Sequence, residues 1–169
     1  MDRGLGSNNK PRYFFELIEI LLIVFALSWL LRFYVLDTII VPNNDMNPTL
    51  FYNDKVLVDK LLFPDKRRVQ RGDIVVFFNN DQNINIKRVL GLEGDRIEIR
   101  NSLVYINGKP YYESYTKTPV TMEISSFIVP SQHIFVLGDN RQGNFDSIGE
   151  NIPKKDLIGR VLFTYWSDK

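Results

Sequence analysis

Few residues in this chain of 169 can carry out covalent or acid–base chemistry. Cysteine is absent, which excludes a thiolate nucleophile, a disulfide scaffold and a cysteine-based zinc site. The one histidine, His133, cannot build a multi-histidine metal site, although it could serve a single Ser-His-Asp triad. Because it precedes the apolar run 134–137, we interpret His133 as a surface or capping residue at the start of a strand. Without a glycine-rich phosphate loop or a metal-ligand cluster, we predict no metal and no cofactor.

Asp45, in the segment Asn-Asn-Asp-Met-Asn-Pro-Thr-Leu at 43–50, is the acidic residue that most needs a chemical explanation. Aspartic protease chemistry requires two carboxylates that share a proton and activate water. Asp139 and Asp146 are the available partners, but neither lies in an arrangement similar to Asp-Thr/Ser-Gly. The aspartic protease alternative is therefore disfavoured.

An apolar stretch at 13–36 precedes this segment, and residues 20–31 carry no charge. The apolar residues surround the helix axis, which leaves no polar face for an amphipathic surface helix. Tyr13, Trp29 and Tyr34 lie towards the ends, where aromatic rings favour the membrane interface. The stretch predicts a transmembrane helix.

Basic residues set the expected orientation of this helix. Arg3, Lys10 and Arg12 precede it, which by the positive-inside tendency keeps 1–12 in the cytoplasm. We expect an uncleaved signal anchor at 13–36, since no small-x-small cleavage site follows, and an extracellular domain at 37–169 on a single-pass membrane protein. The net charge of +1 gives no general attraction to nucleic acid.

Beyond the anchor, the pattern is typical of strands. Short runs rich in β-branched and aromatic residues occur at 38–41, 55–59, 73–78, 85–90, 95–100, 103–106, 134–137 and 157–165. Turn residues separate them, and Asn107-Gly108 is a strong signal for a two-residue hairpin. We predict a mostly β domain with antiparallel strands, in which 109–126 is an irregular excursion with room for a further hairpin.

Four segments after the anchor resemble, in order and spacing, the motifs of the type I signal peptidase family. They are 41–50 (Val-Pro-Asn-Asn-Asp-Met-Asn-Pro-Thr-Leu) with 54–60, 71–77, 86–95 (Ile-Lys-Arg-Val-Leu-Gly-Leu-Glu-Gly-Asp), and 138–141 (Gly-Asp-Asn-Arg) with Asp146-Ser147. The first is similar to the family's Ser-Gly-Ser-Met-x-Pro-Thr-Leu. The resemblance implies a twisted antiparallel β domain, and active members cleave signal peptides from exported preproteins with a Ser/Lys dyad.

The resemblance places Lys87 at the position of the general base and Asp45 at that of the serine nucleophile. A carboxylate that attacks an amide must form a mixed anhydride, which is more activated than the bond being broken. A carboxylate beside the lysine also favours its ammonium form, so we expect a salt bridge between Asp45 and Lys87 instead of catalysis.

Other positions depart from the family pattern as well. Asn43 replaces the serine that helps form the oxyanion hole, although its amide can still donate a hydrogen bond, and Asn44 replaces a glycine. Asn144 replaces the serine that orients the lysine, and Ile148 replaces the arginine that pairs with Asp146. Supporting structure remains, since the resemblance pairs Arg88 with Asp139.

These residues lead to the hypothesis of a degenerate, non-catalytic signal-peptidase-like protein that binds extended polypeptides as an added strand. The residues expected to line its groove, unless they are ordinary core, are Val41, Pro42, Met46, Leu50, Asn85 and Ile86. Similarity to serine-lacking relatives in Gram-positive bacteria implies an accessory or chaperone-like role in surface protein or pilus assembly, with pilin subunits and sortase as partners. The alternative is an active signal peptidase with an unusual catalytic group.

Overall fold

The computed structural model describes residues 10–34, 36–60, 69–79, 81–142 and 149–167, and its first element is a helix, α1 (Lys10–Tyr34). The segment Tyr13–Leu30 of α1 has a mean hydropathy of 2.0, and none of it is buried. Its 25 residues rise about 37 Å, whereas the hydrocarbon core of a bilayer is about 30 Å thick. By length and composition, α1 fits the predicted membrane anchor.

Eleven strands follow α1 within the described residues. In chain order they are β1 (Leu36–Ile40), β2 (Lys55–Asp59), β3 (Ile74–Phe78), β4 (Ile84–Gly91), β5 (Arg96–Arg100), β6 (Leu103–Ile106), β7 (Lys109–Tyr111), β8 (Ile124–Ile128), β9 (His133–Leu137), β10 (Glu150–Pro153) and β11 (Leu157–Trp166). Each described pairing between them is antiparallel. The predicted fold class, mostly β with antiparallel strands and one N-terminal apolar helix, is confirmed.

The strands form two sheets. The larger has the order β1-β2-β11-β3-β4-β9-β10, and the smaller has the order β7-β6-β5-β8. Strand β4 lies inside the larger sheet, between β3 and β9, and its end at Gly91 leads into the turn before β5. In the smaller sheet, Asn107 and Gly108 join β6 to β7 with φ values of 53° and 79°. Positive φ at both positions is what a two-residue type I′ turn requires, so the predicted hairpin is confirmed.

Alternation along β4 divides the core of the larger sheet. Successive side chains of a strand point to opposite faces, so neighbouring residues of β4 pack in different hydrophobic clusters. Val89 joins the buried cluster that contains Val75 and Val136, whereas Ile86 joins the cluster that contains Val76 and Met46. Polar residues at 87 and 88 interrupt this apolar pattern in the middle of the strand. Strand β4 therefore holds two basic side chains on opposite faces of a buried strand.

No strand bounds were predicted for β7, β8 or β10, although the hairpin at Asn107-Gly108 implies a strand at the position of β7. The interpretation of 109–126 as an irregular excursion needs correction at both ends. The segment begins with β7 and leads into β8, which pairs with β5. Strand β8 reads Ile-Ser-Ser-Phe-Ile, and its adjacent serines remove the apolar alternation from which a strand is predicted. Strand β10 reads Glu-Asn-Ile-Pro, in which a single β-branched residue is too little for a strand signal.

Asp95 links the two sheets at the turn between β4 and β5. Its carboxylate accepts hydrogen bonds from the Leu92 backbone N–H at 2.6 Å, from Asn107 Nδ2 at 2.8 Å and from Arg71 Nη2 at 2.9 Å. Burial acts to raise the pKa of Asp95, but these hydrogen bonds and the charge of Arg71 outweigh it, so the pKa lies below its ordinary value. The ionised form of Asp95 therefore stabilises the folded state.

We expect Asp95→Asn to lower the free energy of unfolding by about 1.5–3 kcal/mol at pH 7, because hydrogen bonds to a charged acceptor are lost. A carboxyl group with a depressed folded-state pKa stabilises the protein above its unfolded pKa of about 3.9, and this contribution disappears as pH falls through the folded-state value. The difference between wild type and variant should therefore shrink below about pH 4. Urea unfolding at pH 7 and pH 3 measures it, and an equal deficit at both pH values would contradict this account.

Candidate functional site

The loop after β1 is fixed by its apolar side chains. Val41, Met46 and Leu50 are 1%, 0% and 3% exposed, and they pack in one cluster with Ile86 of β4. The Val41 N–H donates to Asp54 O at 2.8 Å, and the Leu50 N–H donates to Met46 O at 2.9 Å, which closes a helical turn. These buried side chains, five and four positions apart, anchor a segment that contains no regular element. The loop is therefore a rigid part of the domain.

The six residues expected to line a groove fall into two groups. Val41, Met46, Leu50 and Ile86 belong to the core, whereas Pro42 is exposed and Asn85 is half-buried. The four buried residues stabilise the loop against β4. Contact with a bound polypeptide remains a prediction for all six, and the structure gives Pro42 and Asn85 the most accessible positions.

Asp45 lies in a turn of this loop and forms three hydrogen bonds with residues of the loop and of the segment after β9. Its Oδ2 accepts a hydrogen bond from Asn43 Nδ2 at 3.1 Å, and its backbone N–H donates to Asn43 Oδ1 at 3.1 Å. The Asn140 N–H donates to Asp45 O at 2.8 Å. A Cβ added at Gly138 would lie 2.7 Å from that same oxygen, so only glycine permits the approach of the two segments. Residues 43–45 and 138–140 thus meet in one site, although about ninety positions separate them.

The amide of Asn43 is engaged with Asp45. Asn43 Nδ2 donates its hydrogen bond to the carboxylate of Asp45, the residue at the predicted serine position. An oxyanion hole needs a donor directed at an incoming carbonyl oxygen. In this structure, the group at the predicted oxyanion-hole position instead stabilises a negative charge of the protein itself.

Lys87 is buried on β4, with 3% of its side chain exposed. Its Nζ donates a hydrogen bond to Glu150 Oε1 at 3.1 Å, and Glu150 is the first residue of β10. The side chain of Glu150 is 40% exposed, so the carboxylate lies at the edge of the site. Sequence reasoning missed Glu150, since the resemblance assigns it no role. The predicted salt bridge between Asp45 and Lys87 stays a prediction.

Arg88, the neighbour of Lys87, forms the predicted ion pair with Asp139. Its Nε and Nη2 donate to the two carboxylate oxygens at 2.8 and 2.6 Å, and the Asp139 side chain is fully buried. Thr49 Oγ1 donates to Asp139 at 2.5 Å, and Arg88 Nη1 donates to Gly72 O at 2.9 Å. Burial acts to lower the pKa of Arg88, but the hydrogen bond and charge of Asp139 outweigh it and leave the pKa above its ordinary value. This pair joins β4, the loop after β1 and the segment after β9.

A second buried pair ties the segment between β7 and β8 to the same site. Arg141 Nη1 and Nη2 donate to Glu113 at 2.9 and 2.5 Å, while Arg141 Nε donates to Gly138 O at 2.8 Å. Tyr115 donates its hydroxyl to Glu113 at 2.5 Å, and Arg88 stacks on its ring at 4.0 Å. Burial and the hydrogen bond to Glu113 raise the pKa of Tyr115 far above its ordinary range, so it stays neutral and cannot accept a proton.

Glu113 and Tyr115 were not predicted as site residues, and Arg141 entered only as part of a motif. Asn144, Asp146 and Ile148, which the resemblance assigns to the family's last motif, lie outside the described residues. His133 begins β9, and its Nδ1 lies 2.7 Å from Ser131 O, which agrees with the interpretation as a capping residue.

Comparisons with known proteins support one family. Residues 14–166 match the family model described as "Signal peptidase, peptidase S26". The chain is 35% identical to "Probable signal peptidase I-2" of Synechocystis sp., across 80% of this chain and 66% of that protein. It is 34% identical to "Probable signal peptidase I-1" of Synechocystis sp., across 89% of this chain and 82% of that one. It is 33% identical to "Signal peptidase I P" of Bacillus subtilis subsp. natto, across 90% of this chain and 89% of that protein.

Proposed function

Because this chain belongs to the signal peptidase family, peptidase S26, we propose that it is a membrane-anchored member that binds extended polypeptides without cleaving them. The observation that carries the proposal is Asp45, which takes the serine position of the family pattern while the surrounding loop keeps a fixed and well-packed structure. The proposed role is that of an accessory factor for exported proteins.

The chemistry of Asp45 supports the loss of cleavage. A serine nucleophile transfers its proton to a base and forms an ester, which water then hydrolyses. Attack by the Asp45 carboxylate on an amide would form a mixed anhydride, which lies higher in energy than the amide. The hydrogen bond from Asn43 Nδ2 further stabilises the carboxylate and lowers its nucleophilicity. Both effects oppose peptide cleavage by this residue.

The retained packing supports binding. Extended polypeptides bind to sheet proteins by backbone pairing with an exposed strand or segment, and pockets for alternate side chains add specificity. Backbone pairing needs a fixed backbone, which the buried Val41, Met46 and Leu50 provide for the loop after β1. Next in sequence to members of this buried cluster, Pro42 is exposed and Asn85 is half-buried. A polypeptide that contacts them would need no nucleophile to remain bound.

The anchor and the family indicate which polypeptides are available. Helix α1 fits a membrane anchor, and the basic residues before it favour an orientation with the β domain outside the cell. In that orientation the domain meets exported polypeptides beside the membrane as they emerge. Pilin subunits and sortase are the specific partners to test first, in line with a chaperone-like role in pilus or surface protein assembly.

The alternative, an active signal peptidase, is favoured by the names of the relatives. It requires either catalysis by Asp45 or another nucleophile within reach of Lys87. Cleavage by this route would depend on Lys87, which takes the position of the general base.

A crosslinking experiment tests the proposal on the full-length protein in detergent micelles. A photo-crosslinking residue replaces Asn85, and in a matched control it replaces the exposed Ser125 on β8 of the smaller sheet. With a preprotein whose signal peptide ends in Ala-x-Ala, we expect an uncleaved adduct from position 85 and none from position 125. Pilin and sortase are tested in the same way.

Two outcomes would reject the proposal. One is cleavage of the preprotein by the wild type that disappears in Lys87→Ala. The other is equal crosslinking from positions 85 and 125 for all the polypeptides offered.

A further inference from the structure

We infer that Glu150 is the counter-ion that holds Lys87 as an ammonium, and that it blocks general-base chemistry at this site independently of Asp45. The contact is direct, since Lys87 Nζ lies 3.1 Å from Glu150 Oε1. The inference rests on the proposed non-catalytic function and gives it a second cause. A lysine that keeps its proton cannot remove one from a serine, from water or from any other nucleophile.

The strand register shows that the contact is built into the sheet. Glu150 pairs with Val136, and Val136 pairs with Val89, which is two residues from Lys87 on β4. Directly paired residues project from the same face of a sheet, and so do residues two apart on one strand. Lys87 and Glu150 therefore project from the same face. The long lysine side chain spans the intervening strand β9 to reach the carboxylate at the edge.

The apolar neighbours of Lys87 and the nearby carboxylate act in opposite directions on its ammonium form. Val75, its direct partner on β3, and Val89 both belong to a buried apolar cluster. Such neighbours disfavour the ammonium and would help a lysine to act as a base. A carboxylate within hydrogen-bond distance favours the ammonium. Glu150 is in that position, because it contacts Nζ at 3.1 Å from the exposed edge of the site.

The neighbouring charge of Arg88 has its own partner. Arg88 projects from the opposite face of β4, and its guanidinium pairs with Asp139. Among the described residues, Asp45 is another acidic group that the motif spacing brings towards Lys87. A test must therefore separate the contribution of Glu150 from that of Asp45.

The protonation of Lys87 is measured directly by NMR. The full-length protein in micelles carries lysine labelled at Cε and Nζ, and the Lys87 signal is identified by its loss in Lys87→Arg. We expect the ammonium form of Lys87 to persist to a pH at least about one unit higher in the wild type than in Glu150→Gln. Coincident titrations of these two proteins would overturn the inference.

Two further variants make the result specific. Glu93→Gln removes a matched carboxylate, since Glu93 contacts Lys154 at the same 3.1 Å and is 37% exposed, but it lies outside the site. This control should leave the titration of Lys87 unchanged. Asp45→Asn measures the effect of the other carboxylate. A shift in Asp45→Asn with none in Glu150→Gln would assign the ammonium to Asp45 and reject the role of Glu150.

This experiment fails or succeeds independently of the proposed function. Cleavage of a preprotein by the wild type would reject the non-catalytic function whatever the titration shows. An unchanged titration in Glu150→Gln would reject the counter-ion and leave the consequence of the missing serine in place.

Discussion

Asp45→Ser/Glu150→Gln is expected to cleave a preprotein at least about tenfold faster than Asp45→Ser, whereas the wild type gives no detectable cleavage. The first substitution supplies the hydroxyl nucleophile of the family pattern. The second removes the carboxylate that contacts Lys87 Nζ at 3.1 Å, so a larger fraction of the lysine is neutral at a given pH. For every unit by which the lysine titration moves, that fraction changes tenfold.

The absence of cleavage expected for the wild type is scaled from serine proteases in general, where loss of the nucleophile costs on the order of a factor of 10⁶ in kcat. Single-turnover cleavage of a preprotein ending its signal in Ala-x-Ala measures kcat/KM for each variant between pH 6 and pH 10. The gain from Glu150→Gln should be largest on the acidic side of the profile, where little of the lysine is neutral. At high pH the two variants should converge.

The matched control for this series is Asp45→Ser/Glu93→Gln, in which an equivalent carboxylate is lost away from the site. It should cleave no faster than Asp45→Ser. Equal rates for Asp45→Ser and Asp45→Ser/Glu150→Gln at every pH would show that Glu150 does not restrain the chemistry. The remaining obstacles would then be Asn43, Asn144 and Ile148.

Local patterns in the sequence predicted the strands that carry the site. Residues 55–59 and 103–106 were predicted as strands, and β2 and β6 have those bounds in the structure. Asn107-Gly108 was predicted as a turn because few residue pairs adopt positive φ at both positions at low cost. The pair Arg88–Asp139 was predicted from motifs alone, since the two residues are 51 positions apart.

The contacts that local patterns could not reveal are pairings between distant side chains. Glu150 reaches Lys87 across 63 positions, and Glu113 reaches Arg141 across 28. Each residue taken singly resembles an ordinary surface charge, because charged residues are seldom buried unless they are paired. Only the register of β4, β9 and β10 brings Glu150 to the lysine.

Asp139→Asn is expected to lower the free energy of unfolding by about 3–5 kcal/mol, because it leaves the guanidinium of Arg88 without its counter-ion. The Asp139 side chain is fully buried and that of Arg88 is 11% exposed, so water cannot replace the lost charge. Thr49 also loses a charged acceptor at 2.5 Å. Urea unfolding of the full-length protein in micelles, followed by tryptophan fluorescence, measures the loss.

A matched surface pair tests whether burial is the cause. Glu98 contacts Arg100 at 3.3 Å with both side chains substantially exposed, so Glu98→Gln should cost less than about 1 kcal/mol. Arg88→Met/Asp139→Leu removes both charges and should be more stable than Asp139→Asn, since no uncompensated charge remains. If Asp139→Asn cost no more than Glu98→Gln, the buried pair would not be what fixes the site.

Because Gly138 and Asn140 flank Asp139 and contact Asp45, loss of the pair should also weaken crosslinking from position 85. Stability and crosslinking would then fall together, as expected if this ion pair fixes the loop after β1 beside the segment after β9.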